Sequence, residues 1–358
     1  MKQIIIAALT IFLILPETVY AIPEELLDTM PQEVQELWES AEQEELTGTW
    51  RSGLRRLWGI TTDFFTTEIK ENMRSAILVL LTAILTGISE SCYQAADNEK
   101  IPNYVPLAGT IGITLIVAGN VETLVGLGQE TIDQLLVLSQ GILPTLAAAV
   151  SASGGMVSAS VRQVATVCFC NLLIAAIKNI FMPLLRVLIV LSAADAGLPG
   201  HSFGKLTEWI RKGITWALTA SIFAFTGYLS ISGAAAGAAD SLTAQLTKSA
   251  ISTAVPVVGG IISEATGSVL AGAAVLKNTI GIFGLLAVLT VCLIPFLTLA
   301  LQYLLYKASA FLSGIFSDTL TGYIQSLSST FGLLLGMTGT CTLLLLISIS
   351  SSVSVVIR

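Results

Sequence analysis

Charge is scarce in this chain: only 11% of its 358 residues are Asp, Glu, Lys or Arg, against 54% hydrophobic, and the mean hydropathy is +0.82. Soluble globular domains carry about a quarter charged residues, so that class is excluded and a polytopic membrane protein is implied. Histidine occurs once, at His201. No Ser/His/Asp or Cys/His constellation can be built around a buried base, which argues against an enzyme of those classes. No basic stripe runs along any segment, so nucleic acid is not expected as a partner. The five cysteines, Cys92, Cys168, Cys170, Cys292 and Cys341, lie in or at the ends of apolar runs and read as small core hydrophobes, not as a disulfide framework or a metal site. Cys168 and Cys170 turn to nearly opposite faces of a helix. No cofactor is expected either. The stretch GLPGHSFGKL (197–206) has the wrong spacing between Gly200 and Gly204, and Leu206 where a phosphate loop needs Ser or Thr. It is an ordinary loop, and any ATP coupling has to come from another chain.

The charge that is present is unevenly placed. Between Ile22 and Ser75 stand 12 of the 24 acids and 5 of the 17 bases, which accounts for the formal net charge of −7 and leaves the rest nearly neutral. Residues 1–21 have a lysine, an apolar run from Ile4 to Leu15, a proline and Val19-Tyr20-Ala21. This is the layout of a secretory signal peptide; an uncleaved first anchor is the other reading. Either way the following acidic region, 22–74, starts outside the cytoplasm. Within it, Leu27, Met30, Val34, Leu37, Trp38 and Ala41 recur at helical spacing, and so do Leu54, Leu57, Trp58, Phe64, Phe65 and Ile69. Amphipathic helices follow, the second set fitting one that lies in the membrane interface.

The membrane domain covers 75–350, with a short tail at 351–358. Apolar runs near twenty residues predict spans at about 75–93, 104–125, 164–193, 214–235, 279–305 and 330–350. Two further apolar stretches, about 135–158 and 247–272, are interrupted by Pro, Gly and Ser. The fold class expected is therefore an all-α polytopic membrane protein of about six to eight segments, some of them Pro/Gly-broken helices. A weak two-fold repeat runs through it. An offset of 112 residues aligns Pro144 with Pro256, Ser151 with Ser263, Gly155 with Gly267, Ala159 with Ala271 and Pro183 with Pro295, pairing 104–193 with 216–305.

The two broken stretches carry small residues every fourth position: Ala147, Ser151, Gly155 and Ala159 in one, Gly259, Ser263, Gly267 and Ala271 in the other. Each set falls on one helix face. Lipid gives helices no hydrophobic push toward each other, so close contact relies on small residues and on polar groups that bond across the gap. A proline removes a backbone donor, tolerable at membrane depth only where neighbours or water satisfy the freed carbonyls. Glu264 would be costly against lipid for the same reason. These segments read as broken or re-entrant helices buried in a bundle or lining a polar cavity, with a dry helix-packing seam as the alternative. If they cross, each half has three spans and the halves are inverted. If they turn back, each has two and the halves run parallel, which groups Lys205, Arg211 and Lys212 on the cytoplasmic side.

Three further cations fall in or beside spans. Lys178 and Arg186 are eight residues apart in the run 164–193, on neighbouring faces of a regular helix. Each is either a functional group or, for Lys178, a side chain that snorkels if the span ends near Pro183. Lys277, followed by Asn278, reads as an interfacial anchor.

The run STAVPVVGGIISEATGSVLAGAAVLKNTIGIFGLLAVLTVCLIPFL (252–297), with its paired Gly259 and Gly260, then YKASAFLSGIFSD (306–318) and the earlier GILPTLAAAVSASGG (141–155) resemble the stage III sporulation protein AE family of endospore-forming bacteria. The family pattern has an aspartate after the VGG motif, where Glu264 keeps the charge here, and a basic residue near Leu246, which carries no charge here. The resemblance implies a multi-pass protein of the mother-cell membrane around the forespore. Its expected partners are membrane lipid and the other stage III sporulation AA to AH proteins, including an ATPase and ring-forming subunits, in a channel or secretion-like apparatus. It implies no catalytic residue. Homo-oligomerisation is compatible with it, and the residues alone leave open a self-sufficient small-solute transporter working about Glu264 and Lys178, or a scaffold that conducts nothing.

Overall fold

In a computed structural model of the chain, residues 73–93, 104–152, 157–197, 203–254 and 259–354 are described, with isolated Pro31, Gln35 and Ala95; side chains are described at 73–93, 104–149, 164–197, 203–231, 280–317 and 320–352. The expected signal peptide and nearly all of the acidic region lie outside the described residues. All regular structure among the described residues is helical. We label the helices α1 (Met73–Tyr93), α2 (Val105–Ala152), α3 (Val157–Ala176), a π turn (Ile177–Phe181), α4 (Met182–Gly197), α5 (Gly204–Ala254), α6 (Gly259–Ser313) and α7 (Asp318–Ser354). Among the described residues, six stretches are long and apolar enough to cross a membrane: Met73–Tyr93, Val105–Ala149, Val164–Gly197, Gly204–Ile231, Ile280–Ser313 and Leu320–Ser352. The chain is an all-helical polytopic membrane protein.

The helices are longer than the apolar runs alone suggest. The expected span 104–125 and most of the interrupted stretch 135–158 are joined, because α2, 48 residues long, continues through the polar stretch between them. Glu, Gln and Leu are good helix formers and the stretch has no proline, so its glycines weaken the helix without ending it. The apolar part alone, 45 residues, is about 68 Å long at 1.5 Å per residue, more than twice the roughly 30 Å of a hydrocarbon core. Pro144 stays inside α2, facing outward. The hydroxyl of Thr145 donates to Gly141 O at 2.7 Å, occupying a carbonyl beside the one that proline deprives.

α7 is the most enclosed element, packed against α2, α3, α4, α5 and α6. Tyr323, Leu327, Phe331, Leu334, Met337, Cys341, Leu344 and Leu345 are buried along it, at the three-and-four spacing of a helix face. It runs antiparallel to α6: Ser328 Oγ donates to Tyr303 O at 3.1 Å and Thr342 Oγ1 to Cys292 Sγ at 3.0 Å. The turn between them is closed by Ser313 O, which accepts from Phe316 N at 2.9 Å and Ser317 N at 3.0 Å. Ser317 then caps α7, its Oγ 3.5 Å from Leu320 N. α1 lies against this turn, with Ser317 Oγ donating to Glu90 Oε2 at 3.3 Å.

Close approach favours glycine at several positions, among them Gly87 and Gly128. A Cβ on Gly87 would overlap the Phe316 carbonyl, and one on Gly128 would stand 2.6 Å from Leu334 Cδ1. Around Gly213, by contrast, nothing lies within 4 Å of an added Cβ. Gly87→Ala should therefore cost about 1–3 kcal/mol, the usual cost of overpacking against atoms that cannot yield. Gly213→Ala should be neutral or stabilising by up to about 1 kcal/mol through helix propensity. Thermal unfolding of the detergent-solubilised chain measures both; equal midpoints for the two variants would contradict the docking of α1.

Candidate functional site

Polar residues along α2 meet polar groups of the helix that returns beside it. Ser139 Oγ stands 3.4 Å from Asn171 Oδ1, Lys178 Nζ 2.6 Å from Asp133 Oδ1, Arg186 Nη2 3.2 Å from Gln129 Oε1, and Thr110 Oγ1 3.5 Å from Ala196 O. As the residue number falls along α2 it rises along α3 and α4, so the two sides form an antiparallel hairpin joined by a seam of hydrogen bonds. Residues that hydropathy counts as interruptions are here the groups that bond across it.

The π turn sets which side chains reach α2. Met182 N–H reaches back five residues to Ile177 O, just before Pro183, whose ring would otherwise press on the carbonyl one turn earlier. The turn absorbs one extra residue. Eight residues of regular helix would leave Lys178 and Arg186 about 80° apart, whereas the extra residue reduces this to about 20°. Both therefore face α2. The Asp133–Lys178 pair is only partly enclosed, with side-chain exposures of 40% and 36%. The Lys178 ammonium is held by a neighbouring helix, and the helical path continues past Pro183 to Gly197.

Smaller polar contacts tie the seam to the core. Asn120 Nδ2 lies 3.5 Å from the buried Tyr306 hydroxyl, Thr114 Oγ1 2.9 Å from Tyr323 OH, and Cys170 Sγ 3.2 Å from Ser348 Oγ. Cys168 is exposed while Cys170 is buried, as their two-residue separation expects. Phe169 stacks on Phe225 at 5.0 Å, holding α3 to α5. Asp195 closes the α4–α5 turn by accepting from Phe203 N at 2.8 Å.

Of the residues singled out in the sequence, Lys178 and Arg186 come together on α2. Pro144 faces outward and Ala147 is half-buried on the same helix. Ser151 and Ala159 fall in α2 and α3, and Gly259, Gly260, Ser263, Glu264, Gly267, Ala271 and Lys277 in α6; their side-chain surroundings lie outside the described residues, as do Gly155, Pro256 and His201 altogether. Asp133 and Gln129 were not singled out in the sequence. The signal for them was available: an acid in a long apolar helix needs a partner, and Lys178 was the cation without one.

A family model described as stage III sporulation protein AE matches residues 36–355. A curated relative, "Stage III sporulation protein AE" of Bacillus subtilis (strain 168), is 24% identical over 234 residues, which cover 65% of this chain and 58% of that protein. The chain thus spans less than two thirds of the relative it matches. No solved structure matches it.

The seam makes a definite energetic prediction. Removing one partner of the half-exposed pair, by Asp133→Asn or Lys178→Met, should cost about 1 kcal/mol, and the double variant should recover part of it. A double-mutant cycle on detergent unfolding gives the coupling energy; a value indistinguishable from zero would mean that the pair does not hold α2 to the π turn.

Proposed function

The chain belongs to the stage III sporulation protein AE family, and on that premise we propose that it is a membrane subunit of a channel or secretion-like complex joining mother cell and forespore after engulfment. In this reading it sits in the mother-cell membrane with its N-terminus outside the cytoplasm. The other stage III sporulation AA to AH proteins supply the ATPase and the ring-forming parts in trans. The observation that supports the reading most is the family match over residues 36–355 on a multi-pass helical chain. Its own contribution is non-enzymatic: it provides helices whose polar groups, as in the α2–α4 seam, are met by other parts of the protein.

A self-sufficient small-solute transporter is the second reading, favoured by the half-exposed Asp133–Lys178 pair beside a π turn, since π turns and intramembrane ion pairs both concentrate at functional sites. The two readings differ in what the isolated chain can do. Purified and placed in liposomes, it should move no solute unaided. In sporulating cells Glu264→Gln should abolish late forespore gene expression while the AA to AH proteins still co-purify. Solute flux through the chain alone would favour the transporter, and loss of assembly in Glu264→Gln would favour a scaffold.

A further inference from the structure

The outward face of α2 carries a stripe that nothing among the described residues covers. Gly119, Thr123, Gly126 and Glu130 are exposed, with Glu122 beside them, also exposed. Spacings of three, four and seven set them on one side of the helix. A Cβ added to Gly119 or Gly126 meets nothing within 4 Å. The side chains of Glu122 and Glu130 take part in no hydrogen bond or ion pair among the described residues. Exposed Ile111 and Leu115 on one side and Val137 on the other bracket the stripe, so it is a polar interval within an apolar face. Beside it stands Arg186, exposed, with one Nη on Gln129 and its other N–H groups without partners among the described residues.

We propose that this stripe is where a second copy of the chain docks. The charges on it are self-complementary. Gln129, the partner of Arg186, is the immediate neighbour of Glu130, so the unpaired acid and the exposed guanidinium lie at the same level along the bundle. Copies of a multi-pass protein inserted alike in one bilayer are related by an axis along the membrane normal, and rotation about it preserves level. Glu130 of one copy is then brought to Arg186 of the other, and the reverse contact forms at the same time, as a two-fold interface requires. Gly119 and Gly126 admit the facing backbone, the role small residues play between membrane helices. Neither feature suffices alone: an outward glycine pair is a gap, and an exposed acid is a solvated group. A matching base at the same level makes the face specific for another copy of itself.

The arrangement permits a test in trans. Two differently tagged full-length chains are co-expressed, solubilised and captured by one tag. Glu130→Arg alone, or Arg186→Glu alone, sets like charges against each other at both contacts and should reduce capture of the second tag about tenfold, the effect of roughly 1.4 kcal/mol. A Glu130→Arg chain mixed with an Arg186→Glu chain has opposite charges at both contacts between copies, while each chain remains mismatched within itself, and capture should return to the unsubstituted level. Gly126→Leu fills space that is open in the single chain, so it should keep or raise the unfolding midpoint while abolishing capture. Absence of self-capture by the unsubstituted chain, undiminished capture by the single reversals, no recovery in the mixture, or full capture by Gly126→Leu would each overturn the proposal.

Discussion

The structure depends on how α2 passes through its polar middle. An apolar helix can carry Gln129, Asp133 and Ser139 only if something of matching chemistry runs beside it, and the helix that returns along α2 supplies Arg186, Lys178 and Asn171 at successive levels. With that seam closed, α2 remains one rod, and α6 and α7 have a continuous surface to pack on. Apolar contact alone would set neither register nor direction for the hairpin, because every apolar side chain tolerates many neighbours. Hydrogen bonds with defined partners do.

Around that rod the packing follows membrane logic more than that of a soluble core. Serine and threonine hydroxyls repeatedly donate to the carbonyl one turn earlier on their own helix, as Thr86, Thr114, Thr131 and Ser348 do, so their polar atoms are satisfied wherever the helix lies. Glycine admits neighbours where helices come closest, at Gly87 and Gly128. Between α6 and α7 lies a buried aromatic pair, Tyr306 on the first and Phe331 on the second, whose rings lie 5.0 Å apart at 55°. Large apolar side chains such as Trp209, Trp216, Phe223 and Phe311 remain on the outside, where lipid is a suitable environment for them.

Much of this was legible in the residues. Apolar runs near twenty marked the six helices among the described residues that can cross a membrane, and the alternation of buried and exposed positions in α7 follows its own spacing of large side chains. The continuity of α2 was not legible, because hydropathy treats Glu122, Gln129, Glu130 and Asp133 as a boundary and ignores that the same residues favour helix and can find partners on another. Nor could the sequence show that Lys178 and Arg186 share a side. Their separation of eight was read on a regular helix, and the π turn that adds a residue before Pro183 leaves no mark in composition. The family was legible through the PVVGG and LKN segments, although the side chains that carry those motifs lie outside the described residues. The residues that the structure does bring together, Asp133 and Lys178, belong to neither motif.

The continuity of α2 is the central claim, and one distance tests it. Spin labels at Ile111 and Gln140, both exposed, in a chain freed of its five cysteines and diluted with unlabelled chain, should lie about 44 Å apart in a lipid nanodisc, the length of 29 residues of unbroken helix. A separation near 10 Å, that of two adjacent antiparallel helices, would show that the chain turns back at its polar middle and that the seam does not exist.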